Sequence, residues 1–209
     1  NQIASPSEEV FKKTVLDLYC HSVILDTIEE NYDFKKNKGI LCIHGGGTYN
    51  NKEKTIKRWV ERFDLLPDNV KNRIAIENCE KGYSSEDCIR ISKLVKIPHI
   101  FDIHHYNCYN TYHPTETQKK IELLLPDILQ TWTKVCKKPY FHISEQGSGK
   151  CGHHSDFIEK IPSYMFDIGP VTLDVEAKAK EEAILKLVEK YNNSETEEEF
   201  RSLMESIVI

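Results

Sequence analysis

Short apolar runs alternate along the chain with longer amphipathic segments. Five of the runs are rich in β-branched and aromatic residues, and each one ends at or beside a side chain that can bind a metal ion: Ile40–His44, Ile74–Glu77, His99–His105, Tyr140–Ser144 and Val171–Glu176. The runs are too short and end too sharply for helices. We therefore predict five buried strands.

The segments between these runs repeat apolar residues at helical spacing. Their start signals and periodicity predict helices from Ser5 as the N-cap to about Ile28, over Lys52–Leu66, from a capping-box signal at Ser84, over about Gln118–Lys134 and over Ala177–Tyr191. The polar stretch Asn107–Thr117 is predicted to be a loop, and residues 192–209 an acidic tail with one further helix. Strands that alternate with helices predict an α/β protein with a parallel sheet.

Alternation along the predicted strands brings several polar side chains to one place. Side chains point alternately to the two faces of a strand, and the carboxyl ends of parallel strands meet at one edge of the sheet. Carboxylates that are brought together need a cation, and a mixture of oxygen and imidazole donors suits Zn, Mn, Fe or Co. We therefore predict a divalent metal site formed by His44, Glu77, Asp102, His142 and Glu176.

Each of these residues has a plain structural explanation when it is taken alone. Glu77 could pair with a Lys or Arg, Glu176 with Lys178, and His44 could end its strand with a hydrogen bond. The joint pattern favours a multi-metal hydrolase, in which one ion activates water and another stabilises the leaving oxygen.

Composition narrows the class of protein. The chain has 209 residues, of which 39% are hydrophobic and 29% charged, which is typical of a globular protein with one domain, or two. No apolar run approaches the roughly 18 residues that a membrane span needs, and no secretory leader is recognisable. Seven cysteines without a C-x-x-C pair favour a reducing intracellular compartment, such as the cytoplasm, the nucleus or a viral replication site.

Candidate DNA contacts lie near the predicted strand ends. Glycines at 45–47 would allow a phosphate to approach the backbone closely, and Lys52 follows on the next helix. Tyr49 and Tyr106 are candidates for stacking on bases. A solvated helix face is the alternative explanation for Lys52, and the net charge of -5 disfavours binding by bulk electrostatics.

A series of motifs then follows one order along the chain: Gln2-Ile3-Ala4-Ser5-Pro6, Ile43-His44-Gly45-Gly46-Gly47-Thr48-Tyr49 with Lys52, Ile76-Glu77-Asn78, Phe101-Asp102-Ile103-His104-His105, His142-Ile143-Ser144, His154-Ser155-Asp156 and Val175-Glu176-Ala177-Lys178 with Lys180-Glu181. In this order they resemble the UV damage endonuclease family, to about Leu187. The resemblance implies a (β/α)₈ barrel related to endonuclease IV and the xylose-isomerase-like enzymes. It also implies an enzyme that nicks damaged double-stranded DNA 5′ to UV photoproducts and other lesions.

The resemblance assigns catalytic and metal-binding roles to individual residues. It implies up to three divalent ions, with manganese the first expectation and zinc, magnesium or cobalt as alternatives. Glu77 would bridge two ions, and Asp102, His142 and Glu176 would complete one of those sites. His44 would hold the neighbouring ion.

The third ion would be held by His105 with His154. Strand alternation alone prefers His104, but the family's ligand lies three residues after the Asp, where the chain has left the strand. The DNA contacts are expected from Lys52, Tyr49 and Tyr106.

The chain departs from the family pattern at two positions and at its start. Tyr140 stands where the family has a Lys, and Cys79 where it has an Asp. Residue 1 falls just after the family's His-Pro-Gly-Gln-aromatic motif. We therefore expect residues 1–191 to be the C-terminal five strands and helices of an incomplete barrel, whose open side an oligomeric partner or a missing N-terminal segment covers.

Such a fragment is expected to bind metal but to nick damaged DNA poorly or not at all. Two other functions remain open at this stage. One is a sugar isomerase of the xylose-isomerase-like barrels, and the other is a non-enzymatic metal-binding barrel fragment.

Overall fold

The computed structural model of the chain describes residues 2–31, 39–133 and 138–192. It divides into two compact units. Of the described residues, those up to residue 100 and residues 118–133 form the first unit, and residues 101–117 and 138–192 form the second. The acidic tail predicted for residues 192–209 lies outside the described residues, apart from Asn192 at the end of the last helix.

The elements alternate between strand and helix along most of the chain. In order they are α1 Glu8–Asn31, β1 Leu41–His44, α2 Lys52–Phe63, α3 Asp68–Lys71, β2 Ile74–Glu77, α4 Ser85–Val95, β3 His99–Asp102, α5 Ile103–Tyr112, α6 Ile121–Trp132, β4 Tyr140–Ile143, a 3₁₀ turn Ser163–Met165, β5 Thr172–Val175 and α7 Glu181–Asn192.

All strand pairings are parallel and follow chain order. In the first unit β1 pairs with β2, and β2 with the first half of β3; in the second unit the last half of β3 pairs with β4, and β4 with β5. Among the described residues β1 and β5 each have one neighbouring strand, so that this parallel five-stranded sheet is not closed. The predicted α/β fold with five parallel strands is confirmed.

The core of the first unit lies between its helices and strands. Phe11 and Leu18 of α1, Trp59 of α2 and Ile76 of β2 are among the side chains of this core, and Trp59 is fully buried. Burying side chains of this size against each other supplies the main free energy that holds the unit together, at about 1.5–3 kcal/mol for each large side chain.

Two helix starts show how the local sequence sets element bounds. Ser84 caps α4 in a complete capping box with Asp87, as the sequence predicts. The predicted cap at Ser5 is wrong, because α1 begins only at Glu8 and the hydroxyl that accepts the capping hydrogen bond, from the N–H of Val10, is that of Ser7.

The third strand is shorter than predicted, and the loop predicted after it is largely helical. Asp102 is the N-cap of α5, and its side chain accepts a hydrogen bond of 2.7 Å from the backbone N–H of His105. A carboxylate in this position satisfies an unpaired N–H at the first helical turn, which favours a helix immediately after the strand. His105 therefore lies on a helix, and the loop predicted over Asn107–Thr117 begins only after Tyr112.

No helix in the described ranges is long and apolar enough to cross a membrane. Each of the six cysteines in the described residues is a thiol rather than half of a disulfide.

His99, at the start of β3, is the buried titratable group with the clearest effect on stability. Its Nδ1 lies 2.9 Å from the carbonyl oxygen of Ile76 and its Nε2 2.8 Å from the hydroxyl of Ser85. The Nδ1–H therefore donates to Ile76, and the Ser85 hydroxyl donates to Nε2. Burial lowers the pKa of His99 to about 4 from the usual 6.5, against a smaller rise from the hydrogen bond to Ile76.

We expect His99 to destabilise the protein as the pH falls from about 6.5 towards 4, because only the unfolded state takes up the proton in that range. In this range the free energy of unfolding falls by up to about 1.4 kcal/mol for each pH unit. Urea unfolding at pH 7 and at pH 5 measures this effect. Between the two pH values, the free energy of unfolding of the wild type should fall by about 2 kcal/mol more than that of a His99→Asn variant. Equal pH dependence of the two proteins would show that His99 is not the group responsible.

Candidate metal centre

Three of the predicted site residues lie together at the carboxyl ends of β3, β4 and β5. Asp102 ends β3, His142 lies next to it in register on β4, and Glu176 directly follows β5. One possible ligand atom from each residue lies within 4.8 Å of those of the other two. Asp102 is fully buried and His142 nearly so. Two carboxylates and an imidazole at this spacing form a donor set that can hold one divalent ion.

The position of Asp102 is fixed by the helix that follows it. Besides capping α5 through Oδ1, Asp102 has its Oδ2 3.3 Å from Nδ1 of His105. The N-terminus of a helix stabilises a negative charge, so that the start of α5 favours the ionised form of this carboxylate. The sequence therefore supplies a buried anion at a place where a cation can bind it.

The imidazole of His142 lies between two carboxylates from the end of β5. Its Nδ1 is 3.4 Å from Oε1 of Glu176, and its Nε2 is 3.8 Å from Oδ2 of Asp174. Asp174 pairs in register with His142 and is largely exposed. Asp174 is not among the site residues predicted from the sequence. The signal that could have found it is the period of two that places Asp174 beside His142.

Glu176 is held by its own backbone. Its N–H donates a 3.0 Å hydrogen bond to the carbonyl oxygen of Ile143, at the end of β4. The side chain remains about one-third exposed and reaches Nε2 of His154 at 3.6 Å. Glu176 therefore contacts both His142 and the histidine predicted for a further ion.

His154 is carried by a tight loop between β4 and β5. Gln146 and His154 form an isolated antiparallel bridge, and the N–H of Gly147 donates to the carbonyl oxygen of His153. A Cβ on Gly147 would lie 2.2 Å from the carbonyl oxygen of His154, which leaves room only for glycine. The glycine thus allows the loop to close and to bring His154 next to Glu176.

Three histidine rings gather in the second unit. The ring centroid of His154 is 5.5 Å from that of His104 and 6.5 Å from that of His105. His104 is buried, with Sγ of Cys108 3.7 Å from its Nδ1. His105 instead contacts Asp102 directly. His105 is thereby joined to a carboxylate of the candidate metal centre.

The first unit has its own set of donors at the ends of β1 and β2. His44 and Glu77 lie in register, and Nε2 of His44 is 3.0 Å from Oε2 of the buried Glu77. The thiol of Cys42 also donates to Oε2 of Glu77 over 3.1 Å. The predicted pair His44 and Glu77 is thus in contact, and Cys42 is a possible donor that sequence reasoning did not include.

The glycine-rich loop after β1 is shaped by packing. A Cβ on Gly45 would lie 2.6 Å from the ring of Tyr83, and the hydroxyl of Tyr83 contacts the carbonyl oxygen of Gly47. Gly46 has a φ of 86°, which favours glycine. The side-chain oxygen of Gln2 accepts hydrogen bonds from the N–H of Gly47 and the hydroxyl of Tyr49. At least Gly45 is therefore required by its aromatic neighbour rather than by a ligand.

The residues predicted to contact DNA have different surroundings. Lys52 pairs with Asp87 at 3.0 Å at the start of α4, and Tyr49 is exposed at a φ of 49°. Tyr106 is half-buried and its ring is tilted against Phe101 at 5.5 Å. Of the two tyrosines, Tyr49 is the more exposed.

A family model described as UV-endonuclease UvdE matches residues 1–205. The UV-damage endonuclease of Schizosaccharomyces pombe is 32% identical over 202 residues, which cover 91% of this chain and 32% of that protein. The UV DNA damage endonuclease of Bacillus velezensis is 30% identical over 196 residues, which cover 89% of this chain and 57% of that protein. The chain therefore spans about a third to somewhat more than half of the length of these relatives.

A solved structure, the crystal structure of SacUVDE, has a similar fold. It superimposes with a TM-score of 0.74 and 28% sequence identity, over 92% of this chain and 63% of that chain. The fold of this chain is thus similar to a TIM-barrel-like fold.

Proposed function

Because the chain belongs to the UV-endonuclease UvdE family, we propose that it is the metal-binding part of an endonuclease that incises damaged DNA. The observation that carries this proposal is the convergence of Asp102, His142 and Glu176 at the ends of three consecutive parallel strands. Ligands at this end of the strands are the rule for catalytic sites in α/β barrels. The reaction we propose is hydrolysis of a phosphodiester bond 5′ to the lesion.

The side chains of the second unit have distinct tasks in this proposal. Asp102 supplies a buried carboxylate at the N-terminus of α5, where the helix dipole favours a negative charge. Glu176, which is more exposed, is placed where it can meet the substrate. The imidazole of His142 is oriented by Asp174, in the way that an outer carboxylate fixes the ring of a metal-binding histidine.

The donor chemistry fits a divalent cation. A bound ion would act as a Lewis acid that favours attack of water on phosphorus and offsets the charge that develops on the departing oxygen. Asp102, His142 and Glu176 would hold one ion, and His105 and His154 would contribute to another. The mixed oxygen and nitrogen set suits manganese, with zinc, magnesium or cobalt as alternatives.

His44 and Glu77 would hold an ion in the first unit. The 3.0 Å contact between Nε2 of His44 and Oε2 of Glu77 supports a shared ligand role. Tyr49 and Tyr106 are proposed to stack on bases, and Lys52 to contact a phosphate. Because Lys52 pairs with Asp87, DNA binding would have to compete with this ion pair.

Incision of a defined lesion tests the proposal. We expect the protein, in excess over a duplex that carries one UV photoproduct, to nick the damaged strand 5′ to the lesion in the presence of Mn²⁺. Turnover is expected to be slow, so the assay should use single-turnover conditions. An undamaged duplex and a reaction with EDTA are the controls.

Equal cutting of the undamaged duplex, or cutting that EDTA leaves unchanged, would contradict a metal-dependent repair endonuclease. Weak or undetectable incision would agree with the low activity expected of an incomplete barrel, whereas a protein that binds no Mn²⁺ would contradict the proposal.

A further inference from the structure

Helix α1 carries a second apolar stripe opposite the side that it buries. Its buried face is formed by Phe11, Thr14, Leu18 and Ser22. At 100° per residue, the stripe points about 160° away from this face. The stripe, which we call the outer stripe, consists of Leu16, Tyr19, Cys20, Val23, Ile24 and Thr27, all exposed.

The outer stripe is too apolar for a solvated helix face. Leu16 is 63% exposed and Ile24 56%. A helix that is apolar on two opposite sides makes two packing contacts, whereas a surface helix has one apolar face and one polar face. Contiguous exposed apolar surface of this kind marks an interaction site. In a β/α protein, adjacent units cover the flanks of a helix, and the face opposite the sheet remains open to a second molecule.

The arrangement of residues in the outer stripe is symmetric. Its members form pairs whose residue numbers add up to 43: Leu16 with Thr27, Tyr19 with Ile24, and Cys20 with Val23. When two copies of one helix pack antiparallel about a two-fold axis, residue i of one copy meets residue 43 − i of the other if the axis passes between residues 21 and 22. A stripe that is symmetric about its own centre matches this geometry.

Charges beside the outer stripe agree with the same register. The same pairing of residue i with residue 43 − i places Lys13 of one copy opposite Glu30 of the other. Lys13 is exposed and forms an ion pair with Glu9 of the same helix, which is exposed too. Such a pair adds little stability, so that Lys13 can turn to another carboxylate. Two Lys13 to Glu30 contacts would then flank the apolar centre. A parallel pair of helices would instead bring like charges together.

We propose that the outer stripe of α1 is a homodimer interface, in which α1 packs antiparallel on α1 of a second copy of this chain. An interface made by one helix buries less than the roughly 800 Å² per partner of stable complexes. The dimer is therefore weak, with a dissociation constant on the order of 10 µM. This interface is independent of the metal centre and of the reaction proposed for it.

Sedimentation equilibrium of the protein over a range from about 1 to 200 µM should show a monomer–dimer equilibrium, since that range brackets the expected dissociation constant. Val23→Glu is expected to raise the dissociation constant at least about tenfold, because it places two charges near the axis. Circular dichroism of each variant controls for folding.

Charge reversal tests the register. Lys13→Glu and Glu30→Lys should each weaken the dimer several-fold, and the double variant should recover the wild-type affinity because the opposite charges meet again. A protein that is monomeric throughout the range, or a double variant as weak as the single ones, would overturn the proposal.

A cross-link provides a second test that does not depend on a loss of affinity. In Val23→Cys, the new thiol of one copy meets the native Cys20 of the other, and mild oxidation should give a disulfide-linked dimer in high yield. Asp17→Cys, on the flank of α1, is the matched control and should give several-fold less. Equal yields from the two variants would contradict the antiparallel register.

Discussion

Replacing Asp102 with Asn is expected to lower the affinity for Mn²⁺ at least about 100-fold and to lower the incision rate by about 1,000-fold or more. The Asn side chain keeps an oxygen that can accept the hydrogen bond from His105, so that the cap of α5 is preserved. It removes the negative charge that balances the ion. The loss is therefore expected in binding and catalysis rather than in folding.

Isothermal titration with Mn²⁺ and thermal unfolding of the same samples separate the two effects. Glu182→Gln is the matched control, because Glu182 is an exposed carboxylate at the start of α7. It should bind Mn²⁺ like the wild type. An Asp102→Asn protein that binds the ion with unchanged affinity would remove Asp102 from the metal centre.

Replacing Arg73 with Met is expected to destabilise the protein by about 2–3 kcal/mol. Arg73 is buried immediately before β2, and its guanidinium donates to Glu29 at 2.6 and 2.7 Å and also to Asp26, both on α1. These hydrogen bonds, with that to Glu29 as the largest cause, raise the pKa of Arg73, and the same bond to Arg73 lowers the pKa of Glu29. The Met side chain fills a similar volume but leaves two carboxylates facing each other.

The expected cost is less than that of a fully buried pair, because Asp26 is 40% exposed. Urea unfolding at pH 7 measures it. A triple variant, Arg73→Met with Asp26→Asn and Glu29→Gln, should recover part of the loss since no charge is left unpaired. Arg62→Met, whose ion pair with Glu8 is exposed on the Glu8 side, is a milder control. If Arg73→Met costs no more than Arg62→Met, the ion-pair cluster does not hold α1 to β2.

Local sequence patterns were enough to predict the elements whose ends are fixed by their own residues. β2 was predicted over Ile74–Glu77 and has these bounds, and the capping box at Ser84 starts α4. In both cases the deciding interactions lie within a few residues. The convergence of Asp102 and His142 also followed from strand alternation, because adjacent parallel strands keep their registers.

The remaining features depend on contacts that are distant in sequence. The cluster around Arg73 joins residues more than 40 positions apart, and periodicity carries no information on such pairs. The helix after Asp102 was missed because the apolar run and the two histidines continue the strand pattern, while the capping hydrogen bond that ends the strand cannot be read from it. Strand periodicity places Asp174 beside His142, but whether the two side chains meet depends on their rotamers, which periodicity does not give.

Asp102, His142 and Glu176 are proposed to bind one ion together. Crystals of the protein soaked in Mn²⁺ and measured at the manganese absorption edge test it directly. We predict an anomalous peak about 2.0–2.4 Å from a ligand atom of each of the three side chains. A peak that touches no more than one of them, or Mn²⁺ bound only elsewhere, would contradict the account.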